Sequence, residues 1–310
     1  MARDFKGWFN ETRRAELMLI GITVIWGLTF ALVKRSLDDI APFTFMAWRF
    51  MLAAAIMLVL CARKWKGLDR RILVAGLLLG ALLYGSYAFQ TFGLQYTSAG
   101  NAGFITGLFI VFTPLLSVLF LRHRPGAKSL LAVGIALCGL WVLSVQPNMG
   151  INKGDALVLA CAFTYSVHII LLDRYVKVHD LALLTLIQMV VLAVANTGSG
   201  LVFEEFILPP NAFVWMTVII CGALASALAF YVQGHAQKVL TPVRTSMVLI
   251  MEPVFSVVFG IIILGESLSW RGALGSGLIF AGMLLTELPD EIRIGVRRRC
   301  EKVNPSEPGK

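Results

Sequence analysis

Apolar residues run in ten stretches, at about residues 17 to 35, 43 to 61, 72 to 93, 99 to 121, 129 to 146, 154 to 172, 181 to 203, 213 to 235, 242 to 264 and 271 to 288. Each is too long for a strand and lacks the alternation of apolar and polar positions that a membrane barrel requires. A helix of about 20 apolar residues satisfies its own backbone hydrogen bonds across a bilayer, so the pattern predicts ten transmembrane helices. The fold class expected is an all-α integral membrane protein. The first apolar run meets no small-residue cleavage site of the Ala-x-Ala kind and is retained as the first helix.

Composition agrees with the pattern. Of the 310 residues, 58% are hydrophobic and 15% charged, and the mean hydropathy is +0.80. The formal charge of +9 lies in loops and tails, not on one element, which argues against a nucleic-acid partner. The basic residues also set the expected orientation. With the N-terminus inside, 21 Lys and Arg fall in inner segments and 4 in outer ones, and Arg49 and Arg244 lie within spans. Both termini are therefore expected in the cytoplasm. Four of the five cysteines lie inside apolar runs without metal-ligand spacing and read as small buried hydrophobes.

The chain carries a weak internal repeat. Sliding it by 139 residues places Pro114 on Pro253, Ser117 on Ser256, Trp26 on Tyr165, Thr29 on His168 and Arg49 on Gln188, while Gly134 and Gly139 meet Gly277 and Gly282 at 143. Two halves of five helices are implied, residues 1–150 and 151–290, followed by a basic tail over 291–310. Five is odd, so the second half must cross in the opposite sense. The basic stretch Arg63 to Arg71 accordingly corresponds to an acidic loop with Glu204 and Glu205. Many secondary transporters are built from inverted repeats of this kind, with the solute site near the midplane.

Several strings resemble the ten-helix EamA-type transporters of the drug/metabolite transporter superfamily: Trp26-Gly27, Trp48-Arg49-Phe50, Tyr96-Thr97-Ser98-Ala99, Phe112-Thr113-Pro114-Leu115-Leu116, Met251-Glu252-Pro253-Val254 and Leu264-Gly265-Glu266. The resemblance implies a bacterial inner-membrane carrier that moves small metabolites, often outward. The chain departs from it at Leu121-Arg122-His123-Arg124, where the family often has Leu-Gly-Glu-Arg.

Few polar residues lie deep in the spans. Glu252 is about eleven residues from either end of helix 9, where an unpaired charge costs a few kcal/mol, so it must be neutral or paired. Pro253 beside it has no N–H and frees a carbonyl four residues back, which opens the helix locally. Glu252 is thus a candidate proton or solute site, or else a neutral structural acid. Arg49 either snorkels outward or is a buried cation that pairs Glu252 or holds a solute carboxylate. Arg244, near the cytoplasmic end of the ninth stretch, is expected to snorkel.

His168 is either a packing residue or a relay. Tyr84, Tyr87 and Gln90 recur at spacings of three and are expected on one helix face, with Phe230 and Tyr231 in a comparable zone of helix 8. Gly76 and Gly80, like Gly103 and Gly107, are expected to permit close helix contact. The candidate binding set is Trp26, Arg49, Tyr84, Tyr87, Gln90, Tyr165, His168, Gln188, Tyr231 and Glu252, with Glu252 as the proton-coupling group. No phosphate-binding loop, His-Glu-x-x-His or Gly-x-Ser-x-Gly motif occurs, so neither enzyme activity nor a cofactor is expected. The partners expected are a small-molecule substrate, the bilayer and protons, with a second copy of the chain open. A ligand-binding membrane receptor without transport is the alternative function.

Overall fold

Helix ends in the computed structural model follow local chemistry more closely than hydropathy. The structure describes residues 2–64, 67–97, 99–121, 126–144, 153–264 and 270–287. The first three helices are α1 (Ala2–Ser36), α2 (Pro42–Cys61) and α3 (Arg70–Tyr96). Pro42 opens α2, where its missing N–H costs nothing, and Asp69 caps α3 by accepting from the Ile72 N–H. Helix α1 begins well before its apolar run, because hydropathy marks what the bilayer covers and not where the backbone starts to coil.

The fourth apolar stretch is two helices, α4 (Ala99–Gly107) and α5 (Phe109–Leu121), and α6 (Ala127–Ser144) follows. The chain continues through α7 (Lys153–Tyr175) and α8 (Leu181–Phe203), the latter capped by Asp180. The eighth stretch is α9 (Ala212–Ile219), a π-helical segment over Ile220–Leu228, and α10 (Ala229–Gln237). The ninth is α11 (Pro242–Leu249) and α12 (Glu252–Leu264), and the tenth is α13 (Trp270–Glu287).

Among the described residues, seven helical segments are long and apolar enough to cross a membrane, and shorter apolar segments run over Ile105–Phe120, Leu130–Gly139 and Ala273–Gly282. Large apolar side chains such as Val59, Leu119, Val194 and Leu201 point outward, as they do when the surrounding solvent is lipid. Inside, hydroxyls fold back on their own helices: Thr185 donates to the Leu181 carbonyl, Thr217 to Phe213 and Ser246 to Val243. These hydroxyls are thereby satisfied by their own backbone.

Helix α13 packs on α6, α8 on α2 and α3, α7 on α3 and α5, and α12 on α1. Small residues set several crossings. A Cβ on Gly76 or Gly80 would sit 2.7 Å from Ile187 or Val191 of α8, and one on Gly139 would meet the Gly275 carbonyl of α13 at 2.7 Å. Gly103 does not work this way: a Cβ there would meet nothing within 4 Å.

Gly27 touches α12 beside the break between α11 and α12, and its Cβ would fall 2.8 Å from the Ser256 backbone nitrogen. Gly27→Ala should therefore lower the melting midpoint in detergent by an amount equivalent to roughly 1–3 kcal/mol. An unchanged midpoint would mean that α1 and α12 separate without cost.

Polar clamps tie α2 to α8 at both ends. Glu204, just after α8, accepts the Phe43 N–H at 2.9 Å and the Thr44 N–H at 2.8 Å in the first turn of α2. At the other end Lys64, just after α2, bonds the α8 cap Asp180 at 2.9 Å. Partial burial pushes the Asp180 carboxyl up, but the Lys64 ammonium and the Leu183 and Ala182 N–H groups outweigh it and hold it below the ordinary carboxylate value. That contribution to stability is present above the ordinary carboxylate range and is lost as the pH falls through the depressed value. The pair is half-exposed, so its effect is small.

Candidate functional site

The two broken helices and the π segment converge on a narrow cleft. The breaks fall at Leu108 and at Ile250–Met251, the second next to Pro253 as its missing N–H requires. In the π segment the backbone bonding shifts register. The Ala225 carbonyl there accepts the Trp26 indole N–H at 2.8 Å and an Arg49 N–H at 3.4 Å. The cleft encloses about 620 Å³ of empty space, its open part included.

One helix face from each of α1 and α3 lines most of it. Helix α1 contributes Trp26, Thr29, Phe30 and Val33, and α3 contributes Ser86, Tyr87, Gln90, Thr91 and Leu94. Spacings of three and four keep each set on one stripe. Arg49, Thr106, Cys161, Tyr165, Phe230 and Glu252 complete the wall. Val33 and Leu94 lie near the last turns of α1 and α3, so the cleft extends toward the face opposite the N-terminus.

Arg49 is 4% exposed and points inward. Its Nε donates to Ser226 Oγ at 2.8 Å and its Nη2 to the Tyr87 hydroxyl at 3.2 Å, and its guanidinium carbon lies 4.7 Å from the Tyr87 ring centre. Snorkelling is thus excluded as its arrangement. All of these partners are neutral. Glu252, 8% exposed, lines the same cleft with no ion pair or hydrogen bond from its side chain to any described residue. The cation and the acid share a cavity without touching.

Six of the ten sequence candidates meet at the cleft: Trp26, Arg49, Tyr87, Gln90, Tyr165 and Glu252. The other four do not line it. Tyr84 bonds Ser199 at 2.6 Å and stacks on Phe43, away from the cleft. The reason is helical drift: each step of three residues falls about 60° short of a full turn, so Tyr84 lies a third of a turn from Gln90. His168 and Gln188 are buried and bonded to each other at 2.8 Å. Tyr231 is 38% exposed on the outer surface, and its neighbour Phe230 takes the inward position.

Arg244 does not snorkel; it forms an ion pair with the buried Glu16 of α1. Two further acids, Glu16 and Asp173, are buried within helices as well. Thr29, Ser86, Thr91, Thr106 and Cys161 were missed as wall residues, although Thr29 and Thr91 follow from Trp26 and Tyr87 at helical spacing.

A multi-pass helical membrane protein with a polar, aromatic-walled cleft between broken helices belongs among proteins that handle small solutes in the bilayer. The chain belongs to the EamA-like transporter family, whose model matches residues 13–145 and 152–288. It is similar to an "Uncharacterized transporter" of Archaeoglobus fulgidus, 30% identical over 88% of this chain and 86% of the relative. It is also similar to a "Probable amino-acid metabolite efflux pump" of Salmonella typhimurium, 22% identical over 91% of this chain and 97% of the relative. A crystal structure with 21% identity shares the fold at a TM-score of 0.77, over 89% of this chain and 98% of that one.

Proposed function

We propose that the chain is a secondary transporter of an amino-acid-like solute that exports it by alternating access across a bacterial inner membrane, with both termini in the cytoplasm. The observation that carries this reading is the cleft wall itself. It holds one cation, Arg49, and one acid, Glu252, which do not pair with each other, set among Trp26, Tyr87, Tyr165 and Phe230. A zwitterion with an apolar body would supply a carboxylate to Arg49, an ammonium to Glu252 and surface for the rings. The efflux-pump relative agrees with that class of solute.

The packing supports the inverted repeat. Exchange of each helix with its counterpart five spans on maps the observed contacts onto one another: α3–α7 onto the contact of α1 with α10, α5–α7 onto α1–α12, and α3–α8 onto α2 with the π segment. The α6–α13 and α2–α8 contacts map onto themselves, and in the first of these Gly139 meets α13 where Gly282 meets α6. Each half has a break in its fourth span, at Leu108 and at Ile250–Met251, within about a turn of one another when Pro114 is set on Pro253; discontinuous helices hold the solute in such folds.

The reading predicts selective thermal stabilisation in detergent. At 100 times their dissociation constant, L-amino acids with apolar or aromatic side chains should raise stability by about 2.7 kcal/mol, and their esters and N-acetyl derivatives should not. Stabilisation by the esters equal to that by the free amino acids would remove Arg49 from the recognition of solute.

A further inference from the structure

Beneath the cleft, toward the face that bears the N-terminus, the interior is closed by a run of buried polar side chains. The Tyr165 hydroxyl donates to Gln233 Oε1 at 3.2 Å, Gln233 Nε2 to Gln237 Oε1 at 3.3 Å, and Gln237 Nε2 to the Ile169 carbonyl at 2.7 Å. Gln233 and Gln237 are fully buried. Beside them lies the His168–Gln188 pair, where His168 Nδ1 is buried without a hydrogen-bond partner.

Amides and an imidazole at such depth are costly, and apolar residues would close the interior more tightly. Their positions in the repeat give a reason for them. At the offset of 139, His168 stands where Thr29 does, Leu172 where Val33 does and Gln188 where Arg49 does. Helices α3 and α10 match at 143, the offset of the paired glycines Gly139 and Gly282, which sets Phe230 on Tyr87, Gln233 on Gln90 and Gln237 on Leu94. Every first-half residue in these pairs lines the open cleft. Of their counterparts only Phe230 does so, and the others are buried outside it.

We propose that this sealed polar track is the second vestibule of the transport path, and that His168, Gln188, Gln233 and Gln237 become solute-facing when the two halves exchange conformations. The inference rests on the alternating-access reading above. In the structure described here the first half holds the open form and the second half the closed one. When the roles reverse, Gln233 exchanges Tyr165 and Gln237 for water and solute, and Thr29, Gln90 and Leu94 close over the opposite side. The amides are then bonded in both states, to one another when sealed and to water when open.

Single substitutions Gln237→Cys, Leu172→Cys and Thr91→Cys test this in membrane vesicles of known sidedness. A charged, impermeant maleimide is the probe, and labelling is resolved by peptide mass spectrometry with the native cysteines retained. Thr91→Cys should label only from the face opposite the N-terminus. Gln237→Cys and Leu172→Cys should label only from the face that bears it. In a protein carrying both Thr91→Cys and Gln237→Cys, prior labelling at 91 should slow labelling at 237 about tenfold or more, because it traps one of two exclusive states.

Labelling at 91 with none at 237 or 172, in vesicles where amino-acid flux is measurable, would overturn the track while leaving transport intact. Labelling at all three positions with no flux of any amino acid supports the track and overturns the proposed solute class. Equal labelling at 237 with and without the block at 91 overturns the exclusive exchange.

Discussion

Arg49→Met should fold, reach the membrane and lose solute affinity by about 10- to 100-fold, the worth of a charge-assisted hydrogen-bonding site of roughly 1.5–3 kcal/mol. The guanidinium is held by Ser226, Tyr87 and the Ala225 carbonyl and braced by the Tyr87 ring, and Arg49 lines the cleft. A lysine cannot reproduce this. Its single ammonium reaches one of these groups at a time and offers no planar fork to a carboxylate. Arg49→Lys should therefore lose most of the affinity too, although it keeps the charge. The apparent affinity for exchange in proteoliposomes checks this, read beside the melting midpoint of each variant. Normal affinity in Arg49→Met at normal expression would reduce Arg49 to a tie between α2 and the π segment.

Glu252→Gln should retain solute exchange yet lose at least about tenfold of any flux driven by a pH gradient, since the amide imitates the protonated acid without releasing a proton. Glu252 lies at the first position of α12, where the break at Ile250–Met251 opens the backbone, and no described side chain pairs with its carboxyl group. A charge so placed is expensive in an apolar surround and cheap when water or a cationic solute group enters. The proton and the ammonium of the solute would then compete for one carboxylate, which couples their movements. Glu252→Ala should be worse than Glu252→Gln in exchange as well, because it leaves the solute ammonium without an acceptor. A full response of Glu252→Gln to the gradient would assign the coupling to another group.

Among the described residues hydropathy alone placed the apolar helices, seven of them long enough to cross, because the bilayer demands about 20 apolar residues wherever the chain crosses. The break between α11 and α12 was also legible, since Pro253 has no amide hydrogen to give. The break between α4 and α5 was not: it falls at Leu108, six residues before Pro114, where no residue forbids a helix. Nor was the π segment, whose Ile220–Leu228 sequence is ordinary for a helix.

At the site, Trp26, Arg49 and Glu252 stood out because polar or large aromatic groups in a span need a reason. Tyr84 misled because spacing of three only approximates a helical face, whereas Tyr87, Gln90, Thr91 and Leu94 follow the true period. The Glu16–Arg244 and His168–Gln188 pairs depend on which helices touch, and composition carries no record of that.

The central claim is that the cleft moves a zwitterion, and exchange in proteoliposomes tests it most directly. Vesicles loaded with an unlabelled apolar L-amino acid and placed in a trace of the same radiolabelled compound should accumulate label above equilibrium, and Arg49→Met should abolish that overshoot. Uptake that never exceeds equilibrium for any amino acid, alongside saturable binding of the same compounds in detergent, would contradict transport and leave a membrane receptor in its place.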